Sequence, residues 1–231
     1  MSAYQSILFD LDGTLTDPRQ GITRSVQYAL EKVGIIEENL DKLTPFIGPA
    51  LIDSFQEYYG LSEEQARVAV GYYRERFSSQ GLFENDPLPG ITELLQQLVE
   101  RGVRLFVATS KPEVYANQIL ANFQLAHYFE FVSGSLLDGT RADKTEVIAY
   151  IFENYPELER EHTLMVGDRK FDIQGAHAQH IDVVGVDYGY AQPGELERAQ
   201  PTYQVATVEE LATLILAHTP TSSVAKACHR Q

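Results

Sequence analysis

Tryptophan is absent from the 231-residue chain, and cysteine occurs once, at Cys228. A lone thiol has no intrachain partner, which excludes a disulfide-stapled scaffold and leads us to expect a reducing, cytoplasmic setting. Basic residues are scarce: 18 Lys and Arg stand against 33 Asp and Glu, a formal net charge of −15. Such a field repels polyanions, so neither a nucleic acid polymer nor an anionic membrane is expected as a partner. Long apolar runs are missing as well. Stretches such as the one ending at Val186 fall far short of the roughly 18 residues that a membrane helix needs. The first basic residue is Arg19, so a positively charged signal-peptide start is not expected either.

What remains is the composition of an ordinary globular chain, 44% hydrophobic and 22% charged, which excludes disordered and fibrous classes. Strand-length apolar runs at Ser6–Asp10, Val103–Thr109, Phe129–Ser133, Thr163–Gly167 and Val183–Val186 alternate with helical patterns. That alternation predicts an α/β fold: a Rossmann-like parallel sheet with helices on both faces. One stretch breaks the pattern. Residues 17–85 read as helix after helix (Gln20–Val33, Ala50–Tyr59, Ser62–Ser78) with no convincing strand. They predict a helical domain inserted after the first strand, with 1–16 and 86–218 forming the core and 219–231 a loosely ordered tail. Turn chemistry at Asp17-Pro18 and at Asn85-Asp86-Pro87 marks the two candidate hinges.

The strongest chemical signal is Asp10-Leu11-Asp12-Gly13-Thr14, at the carboxyl end of the first strand, where open α/β sheets place their ligand crevice. Two acids and a glycine could merely end a strand and shape a turn. Further along, Leu105-Phe106-Val107-Ala108-Thr109 is an apolar strand ending in a hydroxyl, Lys144 opens a helix, and Gly167-Asp168-Arg169-Lys170-Phe171-Asp172 brings two more acids four residues apart.

Taken in order, these four segments resemble the motifs of the haloacid dehalogenase superfamily, and the match spans roughly Ile7 to Val186. The resemblance implies a phosphatase with an aspartyl-phosphate intermediate. Asp10 would be the nucleophile and Asp12 the general acid and base. Haloacid dehalogenases proper lack the second Asp, so dehalogenation is not expected. Thr109, with Ser110, would bind the phosphate, and Lys144 would hold it and the nucleophile. A magnesium ion would offset the repulsion between carboxylate and phosphate, held by Asp10, Asp12 through its backbone carbonyl, Asp168 and Asp172. Ser110-Lys111-Pro112-Glu113 also fits a capping box, the more ordinary reading for Ser110.

The insertion resembles the family's helical cap, which closes over the site and excludes water. Thr44-Pro45-Phe46-Ile47-Gly48-Pro49 resembles the substrate-facing segment of the phosphoglycolate phosphatase branch. Gly48 in that loop and Gly13 in the first motif are candidate substrate contacts. Arg19 and Arg24, early in the cap, are further ones because arginine suits planar anions, with plain surface exposure the equal alternative. The expected substrate is a small phosphorylated metabolite, phosphoglycolate first and a nucleoside monophosphate, as for a 5′-nucleotidase, close behind. A sugar phosphomutase ranks third, because no His or Lys signature for it stands in the cap. A non-catalytic module ranks below, since a scaffold has no need of this costly cluster of like charges. Either a monomer or a homodimer is compatible with the sequence. His177 and His180, three apart without a third ligand, read as helix surface. Tyr58-Tyr59 and Tyr72-Tyr73 read as packing within the cap.

Overall fold

A computed structural model describes residues 3–221. Cys228 and most of the expected tail, residues 222–231, lie outside the described residues. Six strands form one sheet in the order β5-β4-β1-β6-β7-β8, every neighbouring pair parallel. β1 (Ser6–Phe9) is central and fully buried. Its uninterrupted Ser-Ile-Leu-Phe run is what a strand covered on both faces requires. Side chains alternate across it: Ile7 and Phe9 join one apolar cluster, while Leu8 joins the opposite one with Phe106 and Met165.

After β1 the chain turns through Gly13, whose φ of +80° suits glycine. It then enters β2 (Thr16–Asp17), which pairs antiparallel with β3 (Asp86–Pro87). Between these two-residue strands lies the helical insertion: α1 (Arg19–Lys32), α2 (Leu51–Tyr59) and α3 (Glu63–Ser79), with a 3₁₀ segment at Leu40–Phe46. The turn segments at Asp17-Pro18 and Asn85-Asp86-Pro87 thus lie side by side at one small ribbon. Sequence alternation is too short in two residues to reveal such a pair. The core resumes with α4 (Ile91–Glu100), β4 (Arg104–Pro112), α5 (Glu113–Asn122), β5 (Phe131–Ser135), α6 (Lys144–Asn154), β6 (Thr163–Gly167), α7 (Lys170–Ala178) and β7 (Asp182–Val186). It ends with α8 (Glu195–Ala199), β8 (Tyr203–Val205) and α9 (Val208–Ala217).

One local expectation is corrected. Ser110 does not cap α5; Pro112 precedes that helix and makes no side-chain cap bond. Residues 109–112 instead stay extended because Pro112 pairs with Ser135 across a register shift in β4, and the Ser135 hydroxyl donates to the Ser110 carbonyl at 2.8 Å.

Candidate active site

The carboxyl ends of β1, β4 and β6 converge below the cap, and each delivers polar side chains into an otherwise apolar interior. Asp10 follows β1, Asp168 follows β6, and Asp172 sits in the first turn of α7. One carboxylate oxygen from each lies within 4.8 Å of the other two, and all three side chains are buried. Lys144, at the start of α6, reaches across to Asp10 at 2.9 Å and Asp172 at 2.7 Å. Its hydrogen bond goes to the Ala108 carbonyl at 2.9 Å. Asp10 Oδ1 and Asp172 Oδ1 are therefore ion-paired yet without an aligned hydrogen bond.

Asp12 pairs through Oδ2 with Lys111 at 2.7 Å, while its Oδ1 is buried with no hydrogen-bond partner. Thr109 Oγ1 accepts the Lys111 backbone N–H at 3.2 Å, which leaves the hydroxyl proton free for an incoming oxygen. Gly13 packs directly on Asp168, where a side-chain carbon would overlap the carboxylate. Asp168 is held by the Tyr190 N–H at 2.7 Å. The Tyr190 hydroxyl donates to Asp17 in the cap-root ribbon, and Tyr188 donates to the Thr14 carbonyl at 3.2 Å.

Two ammonium groups do not balance four buried carboxylates. Burial, reinforced by Asp10 and Asp172, pushes Asp168 well above the usual carboxylate range. Burial likewise raises Asp172, to about 6, against the opposing pull of Lys144. Asp12 is raised by burial, which outweighs Lys111. Lys144 itself remains charged: burial opposes this, but Asp10 and Asp172 prevail and lift it above the ordinary lysine value. The oxygen-only donor set, the excess negative charge and the buried carboxylate oxygens without hydrogen bonds together fit a hard divalent cation.

A cavity of about 510 Å³ opens from these residues into the cap. Asp10, Asp12, Thr109, Ser110, Lys111 and Lys144 line its floor. Its walls are largely apolar, with Phe46, Val70, Tyr73, Phe77 and Tyr115. Tyr73 and Phe77 stack with centroids 5.1 Å apart. Gly48 lines the cavity too, whereas Arg19 does not: it is exposed and paired with Asp41. Arg24 is likewise turned to Glu84 on the surface, at 2.8 Å. Both lie on the outer face of α1, whose inner face supplies Ile22 and Val26 to the cap core. Arg169, adjacent to Asp168 in sequence, pairs with Glu195 instead of facing the acids. His177 and His180 are exposed, in keeping with the reading as helix surface.

Lys111 as the partner of Asp12, and the Tyr188 and Tyr190 supports, were not assigned site roles from sequence. Lys111 had one available signal, its position two residues after Thr109. The tyrosines had only their place beyond the carboxyl end of a parallel strand.

The family model described as haloacid dehalogenase-like hydrolase matches residues 7–186. A 5′-nucleotidase of Pseudomonas aeruginosa is 48% identical over 215 residues, covering 93% of this chain and 97% of that one. The tyrosine-protein kinase PtkA of Mycobacterium tuberculosis is 39% identical over 90% of this chain and 71% of its own. Phosphoglycolate phosphatase 1 of Pseudomonas aeruginosa is 27% identical over 89% of this chain and 77% of its own. Among solved structures, a predicted phosphatase from Clostridium acetobutylicum superposes with a TM-score of 0.90 at 46% identity, covering 94% of this chain and all of that one.

Proposed function

From the premise that the chain belongs to the haloacid dehalogenase-like hydrolases and is a phosphatase of that family, we propose that it hydrolyses nucleoside 5′-monophosphates with magnesium bound at Asp10, Asp168 and Asp172. The observation that carries this reading is the cavity. At about 510 Å³ with stacked aromatic walls, it falls within the roughly 300–1,000 Å³ range of pockets that enclose ligands of drug size. A two-carbon glycolate would leave most of it filled with water. The 5′-nucleotidase relative supports the same order, which places nucleotides ahead of the phosphoglycolate favoured from sequence. Phosphoglycolate stays as the second reading on one observation: Arg74 lines the cavity and has no carboxylate partner among the described residues, as a substrate carboxylate would require.

In this mechanism the phosphoryl group meets Thr109 as donor and Lys144 as a fixed charge. Asp10, whose Oδ1 is held by Lys144 at 2.9 Å, attacks phosphorus through its carboxylate in line with the leaving oxygen. As the bond to the leaving group breaks, Asp12 gives that oxygen its proton. The burial that raises Asp12 against the pull of Lys111 favours the protonated carboxyl this step needs. Asp12 then takes a proton from water, the water oxygen attacks phosphorus, and the bond to Asp10 breaks to release inorganic phosphate. Asp10, Asp168 and Asp172 would hold the magnesium ion, which when bound would offset the negative charge of the acids and the phosphate. The test is a kcat/KM panel of nucleoside monophosphates, phosphoglycolate and sugar phosphates, with ATP included because of the PtkA relative. Nucleoside monophosphates should lead, and Asp10→Asn or excess chelator should abolish turnover. Phosphoglycolate leading would reverse the substrate order, and full activity of Asp10→Asn would remove the mechanism.

A further inference from the structure

Arg169 follows Asp168 directly, yet its guanidinium lies between the core and the cap. Nε and Nη2 donate to the two oxygens of Glu195 at 2.9 and 3.3 Å, and Nη1 donates to the Ile47 carbonyl of the cap. Glu195 is fixed further by the backbone N–H groups of Lys170 at 2.9 Å and Gln192 at 3.0 Å. Arg169 and Glu195 are only 4% and 6% exposed. Among the acids of the α8–α9 region, which the charge pattern suggests are solvated, Glu195 is thus an exception. A desolvated pair is tolerated when its remaining donors and acceptors are satisfied, and here one of the three hydrogen bonds of the guanidinium goes to the other domain.

The cap side of this contact is built for close approach. Gly48 has φ of +106°, and a side-chain carbon there would lie 2.8 Å from Arg169 Nη1. On the core side, the Arg169 backbone N–H donates to Asp172 Oδ2 at 3.0 Å. One residue therefore contacts the proposed magnesium acids through its backbone and the cap loop through its side chain.

We propose that Arg169 is a positioning residue that docks the cap segment Ile47–Pro49 onto the metal-binding turn, so that cap closure and alignment of Asp168 and Asp172 occur together. The proposal rests on the reading of this cavity as the phosphoryl-transfer site. Its consequence is selective, because closing lids favour substrates whose bound portion reaches the lid. Leaving groups that fill the cap cavity should benefit, and acetyl phosphate, whose leaving group is small, should benefit little.

The experiment compares Arg169→Met and Glu195→Gln with wild type on a nucleoside monophosphate and on acetyl phosphate, and follows amide exchange across residues 46–51 in chelator. For Arg169→Met we expect a loss of about 10–100-fold on the nucleotide, as for a buried hydrogen bond to a charged group, carried mainly by kcat. The loss on acetyl phosphate should stay within about threefold by the same reasoning, and exchange at 46–51 should quicken without metal. Glu195→Gln should move the same readouts less far. Gly48→Ala, which crowds the contact from the cap side, should reproduce the faster exchange and covers the case in which Arg169→Met does not fold. Equal losses on both substrates, or unchanged protection of residues 46–51 in the variants, would overturn the docking role. Acetyl phosphate hydrolysis surviving Asp10→Asn would remove the site reading itself and the proposal with it.

Discussion

Replacing Asp168 by Asn should stabilise the metal-free protein while destroying its activity. Asp168 is fully buried, and its neighbours Asp10 and Asp172 carry the same charge. An amide of the same shape keeps an acceptor for the Tyr190 N–H, now at 2.7 Å, and cannot ionise beside Asp10 and Asp172. Relief of such functional strain is commonly about 0.5–2 kcal/mol. At about 2–4 °C per kcal/mol for chains of 150–250 residues, Asp168→Asn should melt roughly 1–8 °C above wild type in chelator. Magnesium should reverse the order. A ligand at a hundred times its Kd stabilises the native state by about 2.7 kcal/mol, and the variant has lost a ligand oxygen.

The pH dependence has a definite sign. A carboxyl whose native pKa is raised contributes unfavourably above that value, and the penalty fades as pH falls through it toward the unfolded value near 3.9. Asp172, at about 6, places the window between roughly pH 6 and pH 4. Carboxylates with depressed values, such as Glu84 and Glu195, lose their contribution only at lower pH. Wild-type protein in chelator should therefore melt higher at pH 5.5 than at pH 7.5. Differential scanning fluorimetry of both proteins, with and without magnesium at the two pH values, reads all of this. A variant that melts below wild type in chelator at pH 7.5, or one that keeps the full magnesium shift, would refute the account of the cluster as charge-strained and metal-demanding.

Other perturbations separate roles within the site. Asp12→Asn should reduce kcat on nucleoside monophosphates by about 10²–10⁴, and acetyl phosphate less, because a carboxylate leaves without a proton; equal rates for wild type and variant would remove the acid role. Arg74→Ala should raise KM for the preferred substrate severalfold with kcat retained and stability within about 0.5 kcal/mol, as for a surface change. Steady-state kinetics beside a melting curve checks it, and an unchanged KM would detach Arg74 from substrate.

Much of the layout of the candidate site was legible because it is local. Asp10 and Asp12 follow an apolar strand within one pentad, and Asp168 and Asp172 share one turn. A parallel sheet then brings the ends of β1 and β6 side by side, a consequence of strand order that motif order anticipates. The short edge strand Tyr203–Val205 and the ribbon of Thr16–Asp17 with Asp86–Pro87 escaped, since two or three residues carry no usable periodicity. Arg19 misled for a different reason. It was chosen for its charge and its place early in the cap, but helix phase decides which face a residue occupies, and Ile22 and Val26 claim the inner face of α1. Glu195 was the reverse case, an acid in an acidic stretch that becomes buried only because a residue 26 positions away supplies its counter-charge.

These misplacements sharpen what the net charge of −15 means for an enzyme whose substrate is an anion. Of the cations beside the motifs, Arg169 is committed to Glu195, and Lys170 is exposed above the Phe171 ring. Among the described residues only Lys111 and Lys144 enter the acid cluster, and each is already paired with carboxylates there. Two ammonium groups already paired on the cavity floor leave only Arg74, higher in the cavity wall, as an uncommitted cation among the described residues that line it, and a single positive charge falls short of a phosphate dianion placed beside four acids. A divalent cation held by the acids would supply the missing positive charge. Substrate affinity should accordingly vanish, and not only turnover, when the metal is withdrawn. Equilibrium binding of inorganic phosphate by calorimetry, with and without chelator, measures this directly. Phosphate bound equally well in chelator would mean that Thr109, Lys111 and Lys144 suffice, contrary to the charge balance of the site.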